Sequence, residues 1–268
     1  MIPLQDNIPS RRAPIVNYAI IGICALVFLR EVSLGGRSEE MIWQYGMVPA
    51  RLTDPDRSIR WEVRGVRRDP FWGPRLVREV REAPASAVPR WATLVTCMFL
   101  HGGWMHLLGN MLFLYIFGDN VEDRLGRIGY VIFYLAMGVA AGLAHWWTNA
   151  NSAVPTIGAS GAIAGVMGAY FLLYPRAMVL TLIPIFYFPY VVALPAVTFL
   201  GLWFVLQFLQ GTAALTGMQT TGVAWWAHIG GFVVGAVAIV VLRNAGMLQP
   251  PLARPIRSAS AFSRYRLG

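Results

Sequence analysis

Long runs of hydrophobic residues, separated by polar or charged stretches, dominate the pattern of this chain. A run of about 20 mostly apolar residues matches the hydrocarbon thickness of a bilayer and predicts a membrane-spanning helix. The expected spans are residues 15–29, 91–117, 130–147, 157–174, 191–210 and 222–242. The predicted fold class is therefore an all-α membrane protein, a bundle of six transmembrane helices.

The polar stretches place the remaining segments outside the hydrocarbon. Residues 30–90 mix Arg with acids, Pro and Gly, and we expect one short amphipathic helix in them, near residues 76–82. Residues 178–189 are apolar but contain two prolines, so we expect them to bend or lie at the membrane interface. The expected division is 1–14 as a cytoplasmic N-terminal segment, 15–29 as the first transmembrane helix, 30–90 as an extracytoplasmic loop, 91–242 as the five remaining helices and 243–268 as a basic cytoplasmic tail.

Composition and charge support this interpretation. Of 268 residues, 56% are hydrophobic and only 13% are charged, whereas soluble domains carry about 25% charged residues. The net charge is +9, and every basic residue is Arg. In a soluble protein such charge would suggest a nucleic-acid partner, but here it flanks apolar spans, so we expect it to orient the chain against the membrane and expect no nucleic acid. Six spans place both termini on one side, and the basic ends predict that this side is the cytoplasm.

The stretch Gly158-Ala159-Ser160-Gly161 opens the fourth predicted span with a serine set among small residues. Gly161, Gly165 and Gly168 share one helix face, which allows the backbone of a second helix to approach closely. Small residues at this spacing are common in membrane helices, and a serine there often only packs. A catalytic serine would need a base from another helix.

A histidine in the sixth predicted span is the candidate base. His228, Gly231 and Gly235 fall on one helix face. Two helices that meet along their glycine faces would bring His228 within hydrogen-bond distance of Ser160. No Asp or Glu follows Asp123 in the chain, so the sequence predicts a Ser-His dyad and not a triad.

Two polar residues in the second predicted span are candidate donors to an oxyanion. His106 and Asn110 lie one turn apart on one face, and polar groups inside a bilayer usually mark function. The alternative is a structural hydrogen bond between helices. His101 is expected to cap the start of this span. No metal site is expected, because His101 and His106 point to different faces and no acid or thiolate lies near them.

These pieces together resemble the rhomboid family of intramembrane serine proteases. The motifs that carry the resemblance are His106-x-x-x-Asn110, Gly158-Ala159-Ser160-Gly161 and Ala227-His228-x-x-Gly231-x-x-x-Gly235, in that order, within roughly residues 91–243. The resemblance implies a six-helix rhomboid-like bundle in which Ser160 is the nucleophile and His228 the general base. It also implies that His106, Asn110 and the Ser160 backbone N–H bind the oxyanion, that residues 211–221 form a mobile cap, and that no cofactor or metal takes part.

The function implied by the resemblance is cleavage of single-span membrane proteins near the outer boundary of a membrane, expected to be that of a bacterial cell. Besides these substrates, the expected partner is membrane lipid. The sequence does not indicate whether the protein is a monomer or an oligomer. The alternative is an inactive rhomboid-like protein that only binds transmembrane helices. Some family members carry a tyrosine one turn after the serine, where this chain has Ala164. Trp225 is therefore the candidate support for His228, unless the glycine contact alone positions it.

Overall fold

The structure, a computed structural model, describes residues 1–69, 73–185, 188–215 and 223–250, without the side chains of residues 62–79 and 185–188. Residues 216–221 of the expected cap therefore lie outside the described residues. The same holds for residues 251–268, which make up most of the expected basic tail.

Helices make up most of the described chain, and two small sheets accompany them. In chain order the elements are β1 (Ile2–Asp6), α1 (Ile15–Ser33), α2 (Ser38–Tyr45), α3 (Pro49–Thr53), β2 (Arg60–Asp69), β3 (Gly73–Glu82), α4 (Thr93–Thr96), α5 (Trp104–Thr148), α6 (Ser160–Leu173), β4 (Met178–Ile185), β5 (Phe188–Pro195), α7 (Ala196–Leu215) and α8 (Trp225–Asn244). The prediction of a mainly helical protein is confirmed, but the stricter prediction of an all-α protein is wrong because of the two sheets.

Four of the described helices, α1, α5, α7 and α8, are long and apolar enough to cross a membrane. The apolar helix α6 has only 14 residues. A total of six spans requires α5 to be counted twice and α6 to be included, so that number stays a prediction. The second predicted span starts too early, because residues 91–99 form short helical turns and α5 begins at Trp104.

The long helix α5 is a hairpin of two helical arms that meet at Gly126, where φ is 71° and ψ is 165°. Asn17 of α1 contacts both arms. Its Nδ2 donates to the Leu114 carbonyl at 2.9 Å, and its Oδ1 accepts from the Tyr130 hydroxyl at 2.8 Å. A straight helix would separate residues 114 and 130 by about 24 Å. The chain must therefore reverse its direction at Gly126, which supports the prediction of two spans here.

Charged side chains at the turn of this hairpin hold the start of α1. The Glu122 carboxylate accepts from the backbone N–H groups of Val16 and Asn17 at 3.2 and 2.8 Å. These two N–H groups lie in the first turn of α1 and have no acceptor within the helix, so Glu122 caps it. Arg11 forms a salt bridge of 2.8 Å with Asp123 beside this cap. The first helix is thus fixed to the turn end of the hairpin.

The short helix α6 lies at the centre of the bundle, and its residues 161–170 are all buried. Its backbone touches that of α8. A Cβ atom added to Gly231 would lie 2.2 Å from the Gly161 carbonyl oxygen, and one added to Gly235 would lie 2.1 Å from that of Gly165. A Cβ atom added to Gly168 would lie 2.1 Å from the Phe232 carbonyl oxygen of α8. The two glycine faces predicted from the sequence do meet.

The segment between α1 and the hairpin has a small core of its own. Its buried residues are Trp43, Val48, Ala50, Ile59 and Ala83. Strands β2 and β3 form an antiparallel hairpin that starts beside this core. The helix predicted near residues 76–82 is wrong, since those residues belong to β3. Their β-branched valines, and their pairing with β2, favour the strand.

Strands β4 and β5 follow the central helix and form a second sheet with the N-terminal strand, in the order β1-β4-β5. Residues expected to bend at the interface and to begin the fifth span form an antiparallel pair instead, from Met178 opposite Pro195 to Ile185 opposite Phe188. The helix α7 consequently starts at Ala196, later than predicted. Strand β1 pairs with β4, and its Asp6 bonds the side chains of Asn120 and Tyr170. The sheet therefore lies at the same end of the bundle as the turn of α5.

Candidate active site

Ser160 and His228 meet at the N-terminal ends of two helices. Ser160 is the first residue of α6, and His228 lies in the first turn of α8. The Ser160 Oγ atom lies 2.7 Å from His228 Nε2. Both residues are half-buried, so that they remain open to the surroundings of the bundle. A hydroxyl within hydrogen-bond distance of an imidazole nitrogen has the geometry needed for proton transfer to that nitrogen.

The glycine contacts explain why the two side chains reach each other. Gly161 directly follows Ser160, and Gly231 lies nearly one turn after His228 on α8. The contact between these two glycines brings the helix backbones closer than any side chain would permit. Serine has a short side chain, so its hydroxyl can meet the imidazole only at such a close approach.

His106 and Asn110, one turn apart on α5, both lie against Gly158. A Cβ atom on Gly158 would lie 2.7 Å from His106 Nε2 and 3.6 Å from Asn110 Nδ2. The Gly102 N–H donates to His106 Nδ1 at 3.3 Å, so the proton of a neutral ring resides on Nε2. Asn110 Nδ2 is buried and has no hydrogen-bond partner among the described residues. Two N–H donors therefore stand next to the backbone two residues before Ser160.

The loop that precedes α5 is held by an acid of α1. Glu31 is buried, and its Oε2 accepts from the backbone N–H of His101 at 3.2 Å. The ring of His101 lies 5.2 Å from that of His106, between centroids, at an interplanar angle of 67°. His101 thus lies in the loop before α5 and packs against His106. The prediction that it caps the helix is wrong, since the cap residue is Gly103 and no side chain bonds the first N–H groups there. Glu31 was not predicted from the sequence, because the predicted span ended at residue 29, whereas α1 continues to Ser33 and carries Glu31 in its last turns.

Two tryptophans contact the ring of His228. Trp225, the support expected from the sequence, lies 6.1 Å away between ring centroids and is nearly perpendicular. Trp203 of α7, which was not predicted, lies 5.9 Å away with an interplanar angle of 35°. Ala164 is fully buried and lies 3.3 Å from the site of a Cβ on Gly231. Aromatic support and the close glycine contact, which the sequence left as alternatives, are therefore both present.

A further neighbour of His228 is Gln207, on α7. Its Oε1 lies 2.7 Å from His228 Nδ1, and the residue is only 8% exposed. The two ring nitrogens of His228 are thus bonded to Gln207 on one side and Ser160 on the other. Gln207 was not predicted from the sequence. The available signal was a polar side chain within an apolar span, but nothing in the sequence indicates which helix face it occupies.

The fold and the site together define an integral membrane protein in which a serine and a histidine pair between two closely packed helices. Residues 88–245, more than half of the chain, match the Rhomboid domain family. This protein belongs to the rhomboid family.

Curated proteins similar to this chain include organellar and bacterial relatives. Rhomboid-like protein 11, chloroplastic, of Arabidopsis thaliana is 45% identical over 78 residues, which are 29% of this chain and 28% of that protein. Rhomboid protein 1, mitochondrial, of Saccharomyces cerevisiae is 30% identical over 150 residues, 54% of this chain and 40% of that protein. Rhomboid protease GluP of Bacillus subtilis is 37% identical over 89 residues, 33% of this chain and 17% of that protein. The chain thus spans at most 40% of the length of these three relatives.

Proposed function

We propose that this protein is an intramembrane serine endopeptidase that cleaves transmembrane protein substrates with a Ser160–His228 dyad. The observation that carries the proposal is the 2.7 Å contact between Ser160 Oγ and His228 Nε2, with two N–H donors of α5 close by. The name of the Bacillus subtilis relative, a rhomboid protease, agrees with it.

In the first step His228 acts as general base. Its Nε2 takes the proton of the Ser160 hydroxyl while Oγ attacks the carbonyl carbon of the scissile peptide bond. The resulting imidazolium then gives that proton to the leaving amine as the carbon–nitrogen bond breaks. A water molecule, activated by the same histidine, hydrolyses the acyl-enzyme and restores the serine.

The negative charge on the carbonyl oxygen needs donors that are in place before it develops. His106 Nε2–H and Asn110 Nδ2–H are the side-chain donors in this proposal. The backbone N–H of Ser160 is the third, because the first N–H groups of a helix have no acceptor within it. The same end of α6 carries the positive end of the helix dipole, which favours an anion.

The proposed substrates are single-span membrane proteins. The dyad stands at the ends of α6 and α8 and is half-buried, so water and a peptide from the membrane boundary can both reach it. A carbonyl inside a helix is already hydrogen-bonded, so the substrate helix must unwind at the cleaved bond. We therefore expect small or helix-breaking residues near the cut.

The proposed orientation has six crossings, with both termini in the cytoplasm and the dyad toward the outer face of a bacterial cell membrane. The two ends of the described chain both lie at the turn end of α5, where Asp6 bonds Asn120 and the Gln249 N–H donates to the Arg124 carbonyl, and this supports an even number of crossings. Single cysteines at Gly65 and Ser260 test the orientation, because Cys24 and Cys97 are both buried. An impermeant thiol reagent applied to cells should label position 65 and not position 260, and the opposite pattern would invert the topology.

A fluorophosphonate probe tests the activity. Purified wild-type protein should be labelled, whereas Ser160→Ala and His228→Ala should lose both labelling and cleavage of a single-span substrate while keeping their thermal stability. The double variant should be no worse than either single one, since the two groups act as a unit. Clear residual cleavage by Ser160→Ala would refute the nucleophile. A folded wild-type protein that is neither labelled nor active would indicate an inactive rhomboid-like protein that binds transmembrane helices.

A further inference from the structure

The partner of His228 Nδ1 determines which of its ring nitrogens is free to act as a base. Gln207 Oε1 lies 2.7 Å from Nδ1, within hydrogen-bond distance. A side-chain carbonyl oxygen can only accept a hydrogen bond, so Nδ1 must carry the proton. A neutral imidazole has one N–H, and Nε2 is then left with the lone pair that faces Ser160.

We propose that Gln207 is a positioning residue of the dyad: it holds the proton of His228 on Nδ1 and aims the unprotonated Nε2 at Ser160. This inference rests on the proposed function. In a Ser-His-Asp triad the acid orients the imidazole, selects its tautomer and stabilises the imidazolium. A neutral amide supplies the first two contributions and no charge.

Among the described side chains, a neutral amide and not an acid occupies the position beside His228 Nδ1. No Asp or Glu follows Asp123, and the acids near Asp123 lie at the turn end of α5, away from the dyad. Glu31 lies at the other end, but its carboxylate bonds the backbone N–H of His101. His106 and His145 of α5 interact electrostatically with His228, but a histidine carries no negative charge that could stabilise an imidazolium. Neither of them bonds Nδ1, which is already occupied by Gln207.

The packing of α7 against α8 keeps Gln207 in place. Trp203, Gln207 and Gly211 are spaced four residues apart and therefore share one face of α7. Trp203 lies against the His228 ring. A Cβ atom on Gly211 would lie 3.1 Å from the Ile229 Cδ1 atom of α8, so the two helices are in close contact there. The amide is thus held between two contacts on the same helix face.

Three variants separate positioning from a structural role. Gln207→Leu removes the acceptor with little change in volume, Gln207→Glu restores an acceptor of the same length, and Gln210→Leu is a matched control on the same helix. Fluorophosphonate labelling rates are measured from pH 5 to pH 9. Gln207→Leu should be labelled about tenfold more slowly or worse, the scale at which outer partners of a functional imidazole matter. Gln210→Leu should match the wild type.

The variant Gln207→Glu should differ from Gln207→Leu in how its labelling rate depends on pH. At alkaline pH, Gln207→Glu should recover most of the wild-type labelling rate. Its pH midpoint should lie above that of the wild type, because a carboxylate beside Nδ1 stabilises the imidazolium. A merely structural glutamine would not move this midpoint. Wild-type labelling by Gln207→Leu, or a Gln207→Glu variant as slow as Gln207→Leu at every pH, would overturn the proposal.

Nitrogen NMR of the imidazole rings tests the tautomer without requiring activity. In protein labelled with ¹⁵N-histidine, the His228 signals are assigned by their loss in His228→Ala. Wild-type His228 should show a protonated Nδ1 and an unprotonated Nε2 at neutral pH. A protonated Nε2 would overturn the proposal, whether or not Gln207→Leu folds. Failure of the wild type to react with the probe would refute the protease assignment and leave this result standing.

Discussion

Replacing Gly231 with alanine tests whether the contact between α6 and α8 sets the geometry of the dyad. The added Cβ atom would lie 2.2 Å from the Gly161 carbonyl oxygen, and real Cβ atoms essentially never come within 3.0 Å of a non-bonded atom of another residue. The obstacle is backbone and cannot rotate away as a side chain would. The helices must therefore separate by close to 1 Å for the methyl group to fit.

This displacement would move Ser160 and His228 apart, because Gly161 adjoins Ser160 and Gly231 lies nearly one turn from His228. A shift of that size would lengthen the 2.7 Å contact between Oγ and Nε2 to about 3.5 Å, beyond the range of about 2.6–3.2 Å at which a base works. Misplacement by about 1 Å can cost on the order of 10²-fold in rate. We therefore expect Gly231→Ala to lower the fluorophosphonate labelling rate by about 10²-fold.

The assay compares labelling rate and thermal midpoint for the wild type, Gly231→Ala and Gly22→Ala. Gly22, on α1, has no atom within 4 Å of the site of an added Cβ, so its alanine variant should be labelled at the wild-type rate. Replacing an exposed helical glycine with alanine usually raises the free energy of unfolding by about 1 kcal/mol. A lower thermal midpoint in Gly231→Ala would therefore itself indicate the clash. A Gly231→Ala protein that is labelled as fast as wild type would show that the glycine contact does not position the dyad.

Three further outcomes are expected. Asn110→Ala should lower the turnover of a single-span substrate by about 10²–10³ with little change in KM; normal turnover with reduced thermal stability would indicate a structural role. Burial raises the pKa of the Asp6 carboxyl to about 7, so the folded protein retains a proton that the unfolded chain releases above about pH 4. Thermal stability should accordingly fall from about pH 4 to about pH 7, and Asp6→Asn should flatten that fall; an unchanged slope would contradict this. Trp225→Ala should slow labelling less than Gln207→Leu, since the Nδ1 hydrogen bond persists, and a larger loss in the tryptophan variant would reverse that order.

Much of this protein follows from local patterns in the sequence. Apolar runs of bilayer length indicated the membrane class and most of the helices, because hydrocarbon requires backbone groups to be bonded within each segment. The periodicity of an α-helix placed Gly161 and Gly165 on one face, and Gly231 and Gly235 on another. The same periodicity placed His106 and Asn110 together. Each of these features depends only on residues within a few turns of one another.

Strands were the part of the fold that local patterns missed. Residues 76–82 and 191–195 can be read as helix from their composition, but the partner strand decides their structure. In β3 that partner is β2, and in β5 it is β4. Pairing satisfies the backbone N–H and C=O groups of both strands at once, and no window of a single segment contains this information.

The environment of His228 was decided by the tertiary structure alone. The sequence determined that a serine and a histidine stand on glycine faces, and it identified Trp225 as a neighbour of the histidine on the same helix. It did not determine that Gln207 and Trp203 of α7 turn toward that ring, because the rotation of one helix against another depends on packing along its whole length. The hydrogen bond that leaves Nε2 free to meet Ser160 exists only where three helices converge.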